Sequence, residues 1–180
     1  MTVLVEAISV IIRIETIAEK YPGGLDQYIS DCPNRSLCMD DEIVRIGFMT
    51  PEDTYAFTEN LERVGFRCVT DDQFDEIAVA DHVGGFALPV EWLQLLDVKI
   101  FEGNQKFMVC KIKGSTLGDI VFPVGWNYET SLSKHSLSMD SESLYNRLVF
   151  LRHDKGVDFY LDVLTNEEMF IERTSRNTNA

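Results

Sequence analysis

The sequence predicts a mixed α+β fold in which an N-terminal half that contains helices packs on a β-rich C-terminal half. The first observation is that the spacing of apolar residues changes repeatedly between extended and helical periods over residues 1–85. The second is that residues 86–174 show short extended segments separated by turns, without a clear helical period. The third is size, because 180 residues, 45% of them hydrophobic, can bury the core of one domain or of two small subdomains.

The first elements alternate between strand and helix. Residues 3–12 (VLVEAISVII) are apolar on both faces, which predicts a strand in the middle of a sheet. Apolar residues recur with helical spacing over residues 14–21 and again over 25–32, after a Pro-Gly-Gly break, so we expect two short helices. Residues 36–39 and 43–49 flank a short polar turn and predict a β-hairpin.

The clearest helix signal in the chain follows Thr50. The Thr50 hydroxyl can cap a helix, Pro51 suits the first helical position, and the next two residues are acidic, which favours the positive end of the helix dipole. Gly65 is placed to end this helix. Residues 66–69 and 76–80 then predict strands on either side of an acidic turn.

The predicted order of elements over this half is strand, helix, strand, strand, helix, strand. This order resembles the ferredoxin-like plait, in which two split β-α-β units pack their helices on one face of a sheet. The resemblance lies in the order of elements alone, and it implies a ferredoxin-like α+β subdomain over residues 1–85. The stretch ADHVGGF at residues 80–86 is then predicted to join this subdomain to the next one.

The remaining sequence predicts a β-rich subdomain over residues 86–174, built as a mostly antiparallel second sheet or a small half-barrel. A serine-rich stretch at residues 131–143 predicts an exposed loop, and residues 175–180 predict a frayed C-terminal tail. The predicted strands of this half are residues 96–101, 106–112, 119–122, 147–152, 157–163 and 168–173.

The net charge of −14 is concentrated in the N-terminal half of the chain. Residues 1–83 contain 6 Lys and Arg against 17 Asp and Glu, a net charge of −11, whereas residues 84–180 carry only −3. Such a field repels phosphate backbones and anionic membrane surfaces, so nucleic acid and membrane are not expected partners. The charge favours a basic protein partner, with greater solubility as the alternative explanation.

Two acidic turns predict a docking face for that basic partner. A protein that neutralises a cationic toxin, as an immunity protein does, would be one example of such a partnership. Neither turn has the ligand spacing of a calcium-binding loop, so we expect no metal site there. The predicted docking residues are Asp40, Asp41, Glu42, Asp71, Asp72, Asp75 and Glu76.

The four cysteines predict free, mostly buried thiols. Residues Cys32, Cys38, Cys68 and Cys110 include no C-x-x-C pair, which disfavours a structural zinc site. They are also too few for a disulfide framework in a chain of this length. We therefore expect neither a metal nor another cofactor.

The junction of the two halves is interpreted first as a hinge and second as the place where a ligand site is predicted. Asp81 and His82 form the best local acid–base candidate, although adjacent residues on a strand point to opposite faces. Trp92 and Trp126 lie near proline and glycine turns and are predicted to line a cleft with them. The alternatives are a hinge at Asp81 and His82 and two tryptophans that only fill the core.

No catalytic motif of a known type occurs in the chain, so the prediction leans toward a non-enzymatic binding or regulatory protein. The alternatives are a small-molecule-binding module and an enzyme of another class that uses His82, or His135 with a nearby serine or Cys110. No long apolar run and no signal peptide are found, which predicts a soluble cytoplasmic protein, with the texture of many bacterial α+β proteins. An edge strand of the β-rich half could pair across a two-fold axis, so a homodimer is possible.

Overall fold

The computed structural model has a mixed α+β fold, which confirms the α+β class that the sequence predicts. Asp71 and Asp72 of the predicted docking face, most of the serine-rich stretch and the predicted tail lie outside the described residues. The structure describes residues 1–70, 73–100, 106–135, 148–155, 157–163 and 166–172.

Strands and helices alternate along the first part of the chain, and strands predominate after it. The helices are α1 (Ile14–Lys20), α2 (Gly24–Ser30), α3 (Pro51–Arg63) and α4 (Leu132–His135), with a 3-10 turn at Tyr128–Thr130. The strands are β1 (Thr2–Leu4), β2 (Ile8–Arg13), β3 (Cys38–Met39), β4 (Ile43–Phe48), β5 (Val69–Thr70), β6 (Gln73–Phe74), β7 (Ile77–Asp81), β8 (Gly85–Leu88), β9 (Leu93–Lys99), β10 (Lys106–Ile112), β11 (Ile120–Val121), β12 (Leu148–Asp154), β13 (Val157–Asp162) and β14 (Glu167–Glu172).

The first sheet has the strand order β3-β4-β2-β7-β8, and all of its neighbouring strands are antiparallel. Helices α1, α2 and α3 cover one face of this sheet. Successive residues of a strand point to opposite faces, so Val10 and Ile12 of β2 pack with Phe57 of α3, whereas Ile11 joins the core on the other face. The central strand β2 is therefore buried on both sides.

Helix α3 forms where the sequence predicts it. The Thr50 hydroxyl oxygen accepts a hydrogen bond from the backbone N–H of Asp53 at 3.2 Å, and Pro51 is the first helical residue. Phe57 and Leu61, four residues apart, are buried against the sheet. Loss of the Thr50 cap would remove about 1 kcal/mol of helix stability.

The second sheet has the order β11-β1-β10-β9 and packs on the face of the first sheet opposite to the helices. Strand β1 runs parallel to β11 and antiparallel to β10. Val3, Ile11 and Leu93 contribute to the core between the two sheets. On its outer face the second sheet packs aromatic side chains of the segment that follows β11, including Trp126 and Tyr128.

The predicted single strand over residues 3–12 is wrong, because the structure divides it into β1 and β2. Ala7, between them, has a φ of +47°, and a residue in this left-handed region interrupts an extended run. The chain therefore passes from the second sheet to the first within three residues. Because the sequence is apolar on both sides of Ala7, the pattern of residues does not indicate the interruption.

Each sheet takes one strand from the other side of residue 85. Strand β1 pairs with β10 and β11 of the later sequence, and β8, which begins at Gly85, pairs with β7. The division into subdomains 1–85 and 86–174 stays a prediction.

Strands β12, β13 and β14 form a separate antiparallel meander. Val149, Phe150 and Leu151 of β12 are exposed, and the Phe150 and Tyr160 rings meet edge to face with centroids 5.6 Å apart. Among the helices in the described ranges, none is long and apolar enough to cross a membrane.

Candidate binding site at Glu6 and Trp126

A cavity of about 310 Å³ lies where the start of the chain meets the segment that follows β11. The cavity is lined by Glu6, Arg35, Ser36, residues 123–127 and residues 130–132. This volume is at the lower end of the range of about 300–1,000 Å³ that small-molecule pockets occupy. The cavity is therefore large enough for a small molecule.

A buried ion pair lies at the base of this cavity. Glu6 is 2% exposed and Arg45 is fully buried, and Arg45 Nη2 lies 3.4 Å from Glu6 Oε2. Arg45 also donates from Nε to the carbonyl oxygen of Leu4 at 2.7 Å and from Nη1 to that of Ser36 at 2.9 Å. Removing two charges from water costs several kcal/mol per ion, so these hydrogen bonds are needed to hold the pair.

The backbone before β2 places Glu6 at the cavity. The Glu6 N–H donates to Ser9 Oγ at 3.1 Å, and the Ser9 hydroxyl donates back to the Glu6 carbonyl oxygen at 2.8 Å. Ala7 follows with its positive φ, and its carbonyl oxygen accepts the backbone N–H of His82 at 2.9 Å. Left-handed conformation at a residue with a Cβ costs roughly 1–2 kcal/mol, and such strain is often found at functional sites.

Gly47 of β4 allows the elements of the site to approach each other. A Cβ atom added at Gly47 would lie 2.8 Å from Leu132 Cδ1 and 3.2 Å from the Glu6 carbonyl oxygen. The Gly47 backbone is also held from the side, because its N–H donates to Ser36 Oγ at 2.8 Å and its carbonyl oxygen accepts from Asn34 Nδ2 at 2.8 Å. A larger residue here would have to displace the end of the Leu132 side chain and press on the Glu6 backbone.

Trp126 lines the cavity beside Glu6 and is fixed by a tight turn. Its backbone N–H donates to the Pro123 carbonyl oxygen at 3.0 Å, and Gly125 supplies the φ of +73° that the third residue of a type II turn needs. The indole packs against Phe122, with ring centroids 4.8 Å apart, and its Nε1–H donates to Glu6 Oε1 at 2.8 Å. The Glu6 carboxylate therefore has a hydrogen-bond donor at each oxygen.

The chemistry of the site is that of a hydrogen-bonding pocket. The Glu6 oxygens already accept from Arg45 and Trp126 and the side chain is only 2% exposed, so the polar lining side chains that a ligand can reach are those of Arg35, Asn127 and Thr130. Arg35, exposed at the rim, adds a cation that has an interaction of its own within the chain. Among the residues that the structure describes, no group of three or more His, Cys, Asp or Glu side chains is arranged to hold a metal ion.

The structure does not bring the four predicted cleft residues together. Trp126 lines the cavity, whereas Trp92 lies elsewhere, with its Nε1–H donating to the Asp75 carbonyl oxygen at 2.6 Å and the Arg13 guanidinium 5.3 Å from its ring centre. The Trp92 side chain therefore packs against Arg13 and donates a hydrogen bond to Asp75, both of which belong to the N-terminal half.

Asp81 is the last residue of β7, and His82 begins the turn between β7 and β8. Asp81 Oδ1 accepts the backbone N–H groups of Val83 and Gly84 at 2.9 and 2.7 Å, so its side chain stabilises the turn. Nδ1 of His82 is buried and has no hydrogen-bond partner among the described residues. Asp81 also borders a second cavity of about 310 Å³, mainly apolar, between α3 and β8.

Part of the predicted docking face serves the fold itself. Asp40 is buried, and its Oδ1 accepts the backbone N–H groups of Glu42 and Ile43, both at 2.8 Å. Asp41 and Glu42 are exposed. Asp40 therefore stabilises the turn between β3 and β4 and offers a partner little of its carboxylate.

Glu76 is also buried and paired within the chain. Its carboxylate lies 2.7 Å from Lys20 Nζ and accepts the backbone N–H of Arg67 at 2.8 Å, and Asp75 lies 3.4 Å from the Arg67 guanidinium. Burial raises the pKa of Glu76, but the hydrogen bonds from Lys20 and from the Arg67 backbone outweigh burial, so the pKa of Glu76 lies below its usual value. Glu76 stabilises the N-terminal half at neutral pH.

The four cysteines are free thiols. Burial raises the pKa of the Cys110 thiol well above its usual range, and burial also raises the pKa of Cys38. Burial, together with a hydrogen bond to Glu62, raises the pKa of Cys68 to about 12. Because these three thiols are protonated at neutral pH, they are poor nucleophiles.

The pattern analysis missed Glu6, Arg35 and Arg45. For Glu6 and Arg45 the available signal was a single charged residue inside each of two predicted apolar strands, VLVEAISVII and IVRIGF. A charge in a strand that is otherwise buried on both faces must find a partner, so the two could have been paired with each other.

Comparison of the chain with protein-family models, with curated proteins and with solved structures finds no match.

Proposed function

We propose that this protein binds a small polar molecule in the cavity that Glu6 and Trp126 line. The observation that carries the proposal is a cavity of about 310 Å³ whose lining includes Trp126 and Glu6, with the two side chains held in place by their mutual hydrogen bond and by Arg45. A buried ion pair is a weak way to stabilise a fold, since apolar side chains of similar volume often do better. Its position at a cavity therefore supports a role in recognition.

The test compares the two tryptophans of the chain. Ligands are screened by thermal shift on the wild-type protein, and tryptophan emission is then followed as the best compound is added. We expect the emission change to persist in Trp92→Phe and to be lost in Trp126→Phe, which keeps an aromatic ring but removes the Nε1–H donor. An emission change that is the same in Trp126→Phe as in the wild type would contradict the proposal.

We also propose that β2, α1, α2, β3, β4, α3 and β7 form a ferredoxin-like plait. The support is the antiparallel strand order β3-β4-β2-β7 together with the helices on a single face. In chain order these four strands are the second, third, first and fourth, the arrangement of two interlocked split β-α-β units. An experimental structure with a different strand order would refute this assignment.

A second candidate function is docking of a basic protein on the helices. The observation that favours it is an acidic surface on α1, α2 and α3 and at the end of α2, which we call the acidic helical layer. Electrostatic attraction of this kind speeds association and weakens with salt. Its exposed acidic residues are Glu15, Glu19, Asp26, Asp31, Glu52 and Glu62.

Native mass spectrometry on protein purified gently at low salt tests the docking candidate. We expect a stoichiometric extra mass from a basic polypeptide, which is lost in Glu15→Lys/Glu19→Lys. The matched control is Asp97→Lys combined with Glu91→Lys. Both residues are exposed, Asp97 lies on β9 of the second sheet, and the control has the same net charge as the helix variant. Equal loss of the partner in both variants would show a general charge effect and no docking surface.

A further inference from the structure

We propose that the protein forms a homodimer in which β9 of one copy pairs antiparallel with β9 of a second copy, across a two-fold axis at Val98. Strand β9 (Leu93–Lys99) is an edge of the second sheet and pairs with β10 along its whole length. Its other side has no strand neighbour among the described residues. The inference is independent of the cavity at Glu6 and of the acidic helical layer.

The free edge of β9 lacks the features that usually protect an edge strand from pairing. Alternate backbone N–H and C=O groups of an edge strand point away from its neighbour and can bond to another strand. Leu96, Val98 and Ile100 are half-buried and extend the apolar outer face of the second sheet. The strand contains no proline and no bulge in its pairing with β10. Its two charged residues, Asp97 and Lys99, have opposite signs, so they do not make the edge repel a copy of itself.

Two-fold symmetry restricts the ways in which β9 can pair with itself. An axis perpendicular to the sheet reverses the strand direction and leaves each side chain on its own face, so one residue must lie opposite its own copy. An axis at Asp97 or at Lys99 would bring two like charges face to face, which is destabilising. An axis at Leu95 or at Leu96 would place Asp97 opposite a leucine of the second copy. These four registers are therefore unfavourable.

The register with Val98 on the axis makes every pair complementary. Asp97 of each copy then lies opposite Lys99 of the other, so the symmetry creates two ion pairs on one face of the sheet. On the other face Val98 meets its own copy, and Leu96 lies opposite Ile100. The apolar outer faces of the two second sheets thereby become continuous across the axis. This match of charge and hydrophobicity selects a second copy of the chain as the partner.

The same register relieves a repulsion within each copy. Lys99 lies directly opposite Lys106 of β10, and like charges at opposite positions of a ladder are destabilising. Lys99, Lys106 and Asp97 are exposed, and none of them is in an ion pair among the described residues. Strands β9 and β10 contain three lysines and one aspartate, in a chain whose net charge is −14. Two acidic chains can therefore approach at this edge with less repulsion than elsewhere.

Sedimentation equilibrium of the full chain at micromolar concentration tests the dimer, which we expect in the wild type. Asp97→Lys and Lys99→Asp should each raise the dissociation constant of the dimer at least about tenfold, because symmetry turns two ion pairs into two like-charge contacts. The double variant Asp97→Lys/Lys99→Asp should restore dimerisation, since it re-forms both pairs with the charges exchanged. The controls Glu91→Lys and Lys113→Asp, exposed and outside β9, make the same changes of net charge and should dimerise like the wild type.

Oxidative cross-linking tests the register. Opposite residues of an antiparallel pair have Cα atoms about 4.5–5.5 Å apart, a separation that a disulfide can span. Val98→Cys should therefore form a covalent dimer on mild oxidation. Gln94→Cys, on the same face of β9, would lie roughly 26 Å from its copy in this register and should not cross-link. The wild type, with its four free cysteines, gives the background.

Three results would overturn the proposal. The first is a wild type that stays monomeric at micromolar concentration. The second is a dimer that survives both single charge reversals, because such a dimer forms through another surface. The third is a wrong register, shown by a double variant that stays as weak as the single ones or by Gln94→Cys that cross-links as readily as Val98→Cys.

Discussion

Replacing Arg45 by methionine removes the cation of the buried pair and should destabilise the fold by about 5 kcal/mol. The largest part, about 3–5 kcal/mol, comes from leaving the 2% exposed Glu6 carboxylate without its counter-ion. The carbonyl oxygens of Leu4 and Ser36 also lose their donors, at about 1 kcal/mol each. Packing by the methionine stem recovers a part of this, and the remainder is comparable with the whole stability of a small protein.

The assay is urea denaturation of the wild type, Arg45→Met, Glu6→Gln and the double variant. Glu6→Gln keeps an acceptor for Trp126 but carries no charge, so the double variant should be at least about 2 kcal/mol more stable than Arg45→Met alone. Arg63→Met removes an exposed pair with Glu59 and should change the free energy of unfolding by less than about 0.5 kcal/mol.

Two results would refute this account of the buried pair. One is a loss of less than about 2 kcal/mol in Arg45→Met, which would mean that water or another group reaches Glu6. The other is strict additivity in the double variant, which would show that the two charges do not interact. If Arg45→Met does not fold, the account requires the double variant to recover a cooperative transition.

Chemical denaturation also tests three other positions. Gly47→Ala should lower the free energy of unfolding by about 1–3 kcal/mol, because its Cβ would lie 2.8 Å from Leu132 Cδ1, and a loss that is undiminished in a Leu132→Ala background would contradict this cause. Ala7→Gly should leave the free energy of unfolding unchanged or raise it by up to about 1 kcal/mol, because glycine relieves the strain of the positive φ. The control Ala78→Gly, within β7, should lower it by at least about 0.5 kcal/mol. Similar losses in both variants would argue against strain at Ala7. Because the pKa of Glu76 is lowered in the folded protein, its stabilisation is complete above about pH 4.5, the usual value, and is lost as the pH falls through the native pKa. Glu76→Gln should therefore flatten the dependence of the free energy of unfolding on pH below about 4.5. Parallel curves for the variant and the wild type would exclude this role.

The sequence predicted those parts of the fold that depend on local chemistry. Thr50 and Pro51 predict the start of α3, because side-chain capping and the fixed φ of proline act within four residues of the chain. The Pro-Gly-Gly break between α1 and α2 is equally local, with Gly23 at a φ of +85°. The α+β class follows from such signals added along the chain.

The remaining features depend on contacts between distant residues. Ala7 adopts a positive φ, which is uncommon for alanine, so the sequence pattern does not indicate that the chain changes sheets before β2. Glu6 and Arg45 are 39 residues apart and meet only because β2 and β4 pair in one register. Trp92 and Trp126 have similar proline and glycine neighbours, yet only the second reaches the cavity.

The pairing of β1 also has a consequence for the order in which the protein forms on the ribosome. Val3 pairs with Cys110 and Thr2 with Ile120, so β1 must wait for more than a hundred residues of later chain before it has either neighbour. Until then a short apolar strand remains available for wrong pairing, and contacts of such long range slow folding. Release of a chain that stops near residue 90 would leave β1 with neither neighbour, and we expect such a fragment to aggregate or to need a chaperone.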